Sequence, residues 1–221
     1  MNLNQICSYL KENDKYKDRI TYWKEIPEKS ADYAEFPEEI EDKIIEVLGD
    51  KGVKKLYTHQ AEAYRTASSG ENLIVVTPTA SGKTLCYNLP VLDKILKEDS
   101  ARALYLFPTK ALSQDQLAEL YDMIERLDED IKTYTYDGDT QVNARKNIRR
   151  SGHIVITNPD MLHTGILPHH TKWIKLFENL EYVVIDEIHN YRGVFGSHVA
   201  NVMKRLQRIC NFYGSDPQCM A

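Results

Sequence analysis

Short uninterrupted apolar runs recur along this chain, separated by stretches with helical periodicity. Leu73-Ile74-Val75-Val76, Ala103-Leu104-Tyr105-Leu106-Phe107, Ile154-Val155-Ile156-Thr157 and Tyr182-Val183-Val184-Ile185 are the runs. Continuous rather than alternating hydrophobicity is the mark of strands buried on both faces. Between them lie helical patterns: one near residues 59–69, one after Gly82 carrying Leu85, Tyr87, Leu89 and Leu92 with Pro90 as a kink site, and one with Leu117, Leu120, Tyr121, Ile124 and Leu127. Thr133-Tyr134-Thr135-Tyr136 reads as a further strand, turned by Asp137-Gly138. Residues 141–150 read as a short basic helix, and Val199, Val202, Met203, Leu206 and Ile209 line a last helix with Ser197 as its cap. Alternating strands and helices predict an α/β fold, with a mostly parallel central sheet covered on both faces.

The first fifty residues are different. They are polar and rich in lysine and glutamate, with Tyr9, Tyr16, Tyr22 and Trp23 interspersed. Ile6, Tyr9 and Leu10 predict a short amphipathic helix, and Pro27 and Pro37 an extended run over the surface. Pro37 is placed at the start of a helix whose apolar face is Ile40, Ile44, Ile45, Val47 and Leu48, ended by Gly49 or Gly52. The expected division is an N-terminal extension, residues 1–50, packing on a core domain, residues 51–221.

The chemistry concentrates at two strand ends. After the run at 73–76 comes Thr77-Pro78-Thr79-Ala80-Ser81-Gly82-Lys83-Thr84. A strand, a tight loop and Gly-Lys-Thr at a helix start is a phosphate-binding arrangement. Backbone N–H groups of Thr79, Ala80, Ser81 and Gly82 would make a concave anion site at the positive end of the helix. Lys83 would reach the β- and γ-phosphates of ATP, and the Thr84 hydroxyl would ligate Mg²⁺. Thr77 departs from the general pattern, which has glycine there. About a hundred residues on, Tyr182–Ile185 delivers Asp186-Glu187-Ile188-His189. Asp186 is an oxygen ligand suited to Mg²⁺, and Glu187 a base for an attacking water.

These residues resemble superfamily-2 DEAD/DEAH-box helicases of the D-E-x-H type, a resemblance that runs from about residue 20 to the end. Tyr57-Thr58-His59-Gln60 looks like the Q-motif, Phe107-Pro108-Thr109-Lys110-Ala111-Leu112 like motif Ia, and Thr157-Asn158-Pro159-Asp160-Met161-Leu162 like motif Ib. Asp186–Arg205 is most similar to the YprA, or mitomycin repair factor A, group related to fungal Hrq helicases. The resemblance implies a three-layer RecA-like P-loop domain and an ATP-driven DNA translocase acting in DNA repair. It implies that Gln60 reads the adenine edge and that His189 couples the nucleotide site to a Ser-Ala-Thr motif. It implies that Thr109, Lys110, Thr157 and Asn158 grip phosphates of single-stranded DNA. Gln218–Ala221 reads as the start of the strand that carries the Ser-Ala-Thr motif, lying between the phosphate-loop strand and the Asp-Glu strand. The chain is thus expected to be the first motor domain of a longer protein, with a second RecA-like domain and a C-terminal zinc domain beyond it. Two other readings remain open: a nucleotide-dependent nucleic-acid-binding module without hydrolysis, and a duplex-DNA translocase.

Bulk properties narrow this only modestly. Over 221 residues the formal net charge is −5, so any DNA contact must be local. The basic cluster Arg145, Lys146, Arg149 and Arg150 is either such a contact or a solvated face. Cys7, Cys86, Cys210 and Cys219 form no CxxC pair, so neither a zinc site nor a disulfide framework is expected. His163, His169 and His170 read as surface residues. The sequence contains no signal peptide and no long apolar segment, and a reducing cytoplasm is the default.

Overall fold

A computed structural model describes residues 2–25, 30–77, 81–108 and 110–221, with only the backbone of residues 4 and 110–116. It divides into two compact units, Met1–Ala31 and Asp32–Ala221. In the first, helix α1 (Leu3–Glu12) opens on a capping box: Asn2 Oδ1 accepts from the Gln5 N–H at 2.9 Å, and Gln5 Oε1 from the Asn2 N–H at 3.0 Å. Lys11 lies 4.5 Å from the centre of the Trp23 ring and pairs with Glu25. Pro27 lies outside the described residues.

The second unit runs β1 (Tyr33–Ala34), α2 (Asp42–Asp50), β2 (Leu56–Tyr57), α3 (Thr58–Ser68), α4 (Lys83–Lys97), β3 (Arg102–Leu106), α5 (Lys110–Leu127), β4 (Thr133–Thr135), α6 (Val142–Ser151), β5 (Ile154–Thr157), α7 (Pro159–Met161), α8 (Ile174–Glu178), β6 (Leu180–Ile185), α9 (Gly193–Tyr213) and β7 (Gln218–Met220). Strands β1 and β2 pair antiparallel. The main sheet has the order β4-β5-β3-β6-β7, parallel throughout. Residues 32–50, assigned by sequence to the extension, lie inside this unit.

The buried runs divide by alternation. Ala103 and Tyr105 of β3, Ile154 and Ile156 of β5, and Tyr182 and Val184 of β6 share a core with α2, α3, α4 and α5. Leu104 and Leu106, Val155, and Val183 and Ile185 face the other core, with Trp173, Phe177 and Leu206. Both faces are covered, which is why the runs are apolar at every position.

Three expectations are corrected. Helix α2 starts at Asp42, not at Pro37; residues 37–40 form a turn closed by Ile40 N–H to Pro37 O at 3.2 Å. The reason is tertiary: the Glu41 N–H donates to Asp93 Oδ1 of α4 at 2.9 Å, fixing where the helix begins. Helix α9 starts at Gly193, whose φ of +58° turns the chain into the helix early, and Ser197 is an interior residue bonding back to Gly193 O. The run at 73–76 joins the sheet only through Leu73 and Val75; Ile74 and Val76 are exposed, because this segment is the sheet's outermost element among the described residues.

Asp93 is the polar pin of the first core. Besides the Glu41 N–H it accepts from the Tyr64 hydroxyl at 2.8 Å and pairs with Lys97 at 2.7 Å. Burial, with the Asp93 carboxylate adding to it, holds the Tyr64 phenol far above its ordinary pKa. Asp93→Ala strands these donors and is expected to lower stability by roughly 2–3 kcal/mol, with Asp93→Asn costing less because an acceptor remains. Chemical denaturation measures both.

Candidate functional site

Parallel strands place their carboxyl ends at one edge of the sheet, where ligands bind in open α/β folds. The two motifs found in the sequence meet there. A cavity of about 250 Å³ is lined by Val75, Val76, Thr77, Lys83, Cys86 and Tyr87 on one side, and by Asp186, Glu187 and His189 on the other. Met220 of β7 and Ala221, which follows it, also line the cavity.

The loop end is built around Gly82. It is the N-cap of α4 with φ +73° and ψ 32°, a conformation costly to any residue with a Cβ. A Cβ there would also sit 2.6 Å from Gln60 Nε2. Lys83 is therefore the first residue of α4, at the positive end of the helix. Thr77 Oγ1 and Ser81 Oγ lie 2.5 Å apart, so the threonine that replaces the usual glycine closes the loop by a side-chain bond. Thr79 and Ala80 lie outside the described residues.

Opposite, Asp186 follows β6 directly, its N–H donating to Leu106 O at 3.0 Å. Glu187 is one of two non-glycine residues among those described with positive φ, at +50°. Such backbone strain is held in place by its surroundings and collects at functional sites. His189 is exposed, and its Nδ1 sits 3.0 Å from Glu187 Oε2. The histidine that the resemblance makes a coupling residue thus orients the Glu187 carboxylate here.

Tyr87 was not singled out by the sequence except as a helix-face residue. Its phenol hydrogen-bonds with the Thr84 side chain, and burial, reinforced by the charge of Asp186, drives its pKa far upward. Burial also pushes the Cys86 thiol up to about 12, with Lys83 opposing. One ammonium, the Thr77 hydroxyl and two carboxylates line the cavity, a donor set suited to a polyphosphate and a hard, oxygen-seeking cation; Thr84, one residue into α4 from Lys83, is not among the lining residues. No group of three or more His, Cys, Asp or Glu side chains among the described residues, here or elsewhere, could hold a metal.

Gln60 is buried, and its amide is engaged: Oε1 accepts from the Tyr57 N–H at 2.9 Å and Nε2 donates to Gly82 O at 3.0 Å. It lines a second cavity of about 540 Å³ with Tyr33, Tyr57, Lys54, Lys55 and Gly82. The Tyr33 and Tyr57 rings stack there, 5.3 Å between centres.

On the β5 side the side chains turn inward. Thr157 is buried, and its Oγ1 donates to Tyr136 O at 2.7 Å. Asn158 caps α7, Oδ1 accepting from the Met161 N–H at 2.7 Å. Thr109 lies outside the described residues, and Lys110 is the first residue of α5. The basic cluster divides. Arg145 lies over the Tyr136 ring and donates to the carbonyls of Gly138 and Thr140, and Arg149 lies over Trp173, while Lys146 and Arg150 are exposed.

The sequence profile of DEAD/DEAH box helicases matches residues 57–221. The chain belongs to that family. It is 57% identical over 215 residues to the uncharacterized ATP-dependent helicase YprA of Bacillus subtilis, covering 97% of this chain and 28% of that protein. It is 39% identical over 211 residues to the ATP-dependent helicase HRQ1 of Saccharomyces cerevisiae, 95% of this chain and 19% of that one. The crystal structure of the DUF1998 helicase MrfA bound to DNA and AMPPNP superposes with a TM-score of 0.92 at 56% identity, covering all of this chain and 30% of that one. The chain spans less than a third of the length of these relatives. Its α/β sheet is the RecA-like motor fold of the family.

Gly82→Ala is expected to destabilise the fold by about 1–2 kcal/mol, from left-handed backbone and displaced Gln60 together. Gly52→Ala, at φ +81° with open space around it, should lose only the backbone part. Denaturant midpoints of the two variants give the difference.

Proposed function

We propose that this chain is the ATP-binding first motor domain of an ATP-dependent DNA helicase that moves along single-stranded DNA and serves DNA repair. The observation that carries the reading is the convergence of Lys83 with Asp186 and Glu187 on one cavity. Lys83 and the N–H groups of Thr79, Ala80, Ser81 and Gly82 bind the triphosphate, and Gln60 stands beside the base. Thr84 and Asp186 hold Mg²⁺, their oxygens being the ligands that ion prefers. Bound there, the ion would supply positive charge to neutralise the triphosphate. Glu187, steadied by His189, orients water and takes its proton. Phosphoryl transfer needs little more from a protein than such positioning and electrostatics.

The relatives' names support the nucleic-acid half of the reading: ATP-dependent helicases, and one structure with DNA and AMPPNP. Thr109, Lys110, Thr157 and Asn158 are assigned to the DNA phosphates, with backbone N–H groups making the grip where side chains are spent internally. A second RecA-like domain supplies an arginine, worth roughly 10³–10⁵ in rate, so this chain alone hydrolyses ATP very slowly. A C-terminal zinc domain lies further along the same protein. The proposed compartment is the cytoplasm, in keeping with four free cysteines; no helix among the described residues is long and apolar enough to cross a membrane.

The test is steady-state ATPase activity of the chain extended through the second motor domain, with no nucleic acid, single-stranded DNA, duplex DNA or RNA. Single-stranded DNA is expected to stimulate most, and Glu187→Gln to lower the rate by roughly 10²–10⁴. Strongest stimulation by duplex DNA would assign a duplex translocase. Indifference to every nucleic acid, or to the substitution, would favour a binding module without hydrolysis.

A further inference from the structure

His59 and Gln60 are consecutive residues in the first turn of α3, and they hold consecutive carbonyls of the phosphate loop. Gln60 Nε2 donates to Gly82 O at 3.0 Å, and His59 Nε2 lies 3.0 Å from Ser81 O. A carbonyl oxygen only accepts, so Nε2 is the protonated ring nitrogen. The imidazole is held in plane by stacking: its ring lies on Tyr57 at 5.6 Å and 10°, and Tyr57 on Tyr33 at 5.3 Å and 18°.

Peptide geometry gives this pair a consequence for the site. In a planar trans peptide the C=O and the following N–H point in opposite directions. Fixing the Ser81 carbonyl toward α3 turns the Gly82 N–H the other way, and fixing the Gly82 carbonyl does the same for the Lys83 N–H. Successive N–H groups aimed to one side make an anion-binding concavity, whereas a carbonyl flipped into it would repel phosphate. We propose that His59 is a positioning residue of the nucleotide site, whose imidazole N–H sets the orientation of the Ser81–Gly82 peptide and so of the Gly82 N–H offered to phosphate. The Q-motif reading accounts for Gln60 and leaves His59 without a role. The proposal rests on the reading of this loop as the phosphate site.

Two substitutions separate the parts of the side chain. His59→Phe keeps a ring for the stack and removes the donor. His59→Gln removes the ring and returns an N–H close to the position of Nε2. The measurement is calorimetric titration of the chain with Mg·ATP, Mg·ADP and adenosine, with Lys83→Ala as the reference and unfolding midpoints recorded without nucleotide. His59→Phe is expected to weaken Mg·ATP and Mg·ADP about fivefold to tenfold, to leave adenosine unchanged, and to lower the midpoint by no more than one lost hydrogen bond accounts for. His59→Gln should return both to within about twofold of the unsubstituted chain. Should the Phe variant not fold, His59→Leu, also without a donor, is read the same way. Unaltered Mg·ATP binding in the donor-less variant, alongside a loss in Lys83→Ala, overturns the role of His59 and leaves the phosphate loop standing. An equal loss for adenosine overturns it too, since the effect would then be on the base or the fold. No loss in Lys83→Ala overturns the phosphate-loop reading and this proposal together.

Discussion

Three backbone hydrogen bonds carry the site: Leu73 N–H to Cys219 O, Ala221 N–H to Leu73 O, and Val75 N–H to Ala221 O. They attach the segment that leads into the phosphate loop to β7, and β7 in turn lies parallel to β6, which ends in Asp186. The two halves of the site are therefore one intervening strand apart, about 10 Å at the usual strand spacing. Lys83 and Asp186 line the one cavity that spans this gap. Met220, fully buried, fixes the floor of the gap in the core.

Around that frame the protein holds backbone in conformations that packing must enforce. Gly82, at the N-cap of α4, and Glu187, just after β6, are both left-handed. Each costs on the order of 1–2 kcal/mol for a residue with a side chain, and the loop side avoids the cost by using glycine. The Glu187 side does not: a residue with a side chain holds the left-handed backbone there, its carboxylate 3.0 Å from His189 Nδ1. Behind both, the two apolar cores on either face of the sheet supply the rigidity, and Asp93 ties α2 and α3 into the same block as α4.

The parallel sheet was legible because burial on both faces leaves its strands apolar at every position, and the place of the last strand, between the phosphate-loop segment and β6, was legible through the family resemblance. What local pattern could not supply were the tertiary bonds. The start of α2 is set by Asp93, 52 residues away from Glu41. The start of α9 is set by the positive φ of Gly193. Ile74 and Val76 carry the composition of a buried strand, yet they lie at the edge of the sheet, and composition does not say which strand is outermost. At the site, Lys83, Asp186 and Glu187 were readable from motif spacing alone. Tyr87 was hidden in a helical pattern, its relation to Asp186 existing only in three dimensions. Gln60 was marked by its motif, but its bond to Gly82, and the inward turn of the Thr157 hydroxyl, are facts of packing.

The central claim is that one ligand bridges the phosphate loop and the end of β6. Amide hydrogen exchange with and without Mg·ATP tests it most directly, since the two segments are reported separately. The account predicts slowed exchange at Gly82, Lys83 and Thr84 and, with the same nucleotide dependence, at Glu187 and Ile188. Protection confined to one of the two segments, or found at neither, would contradict it.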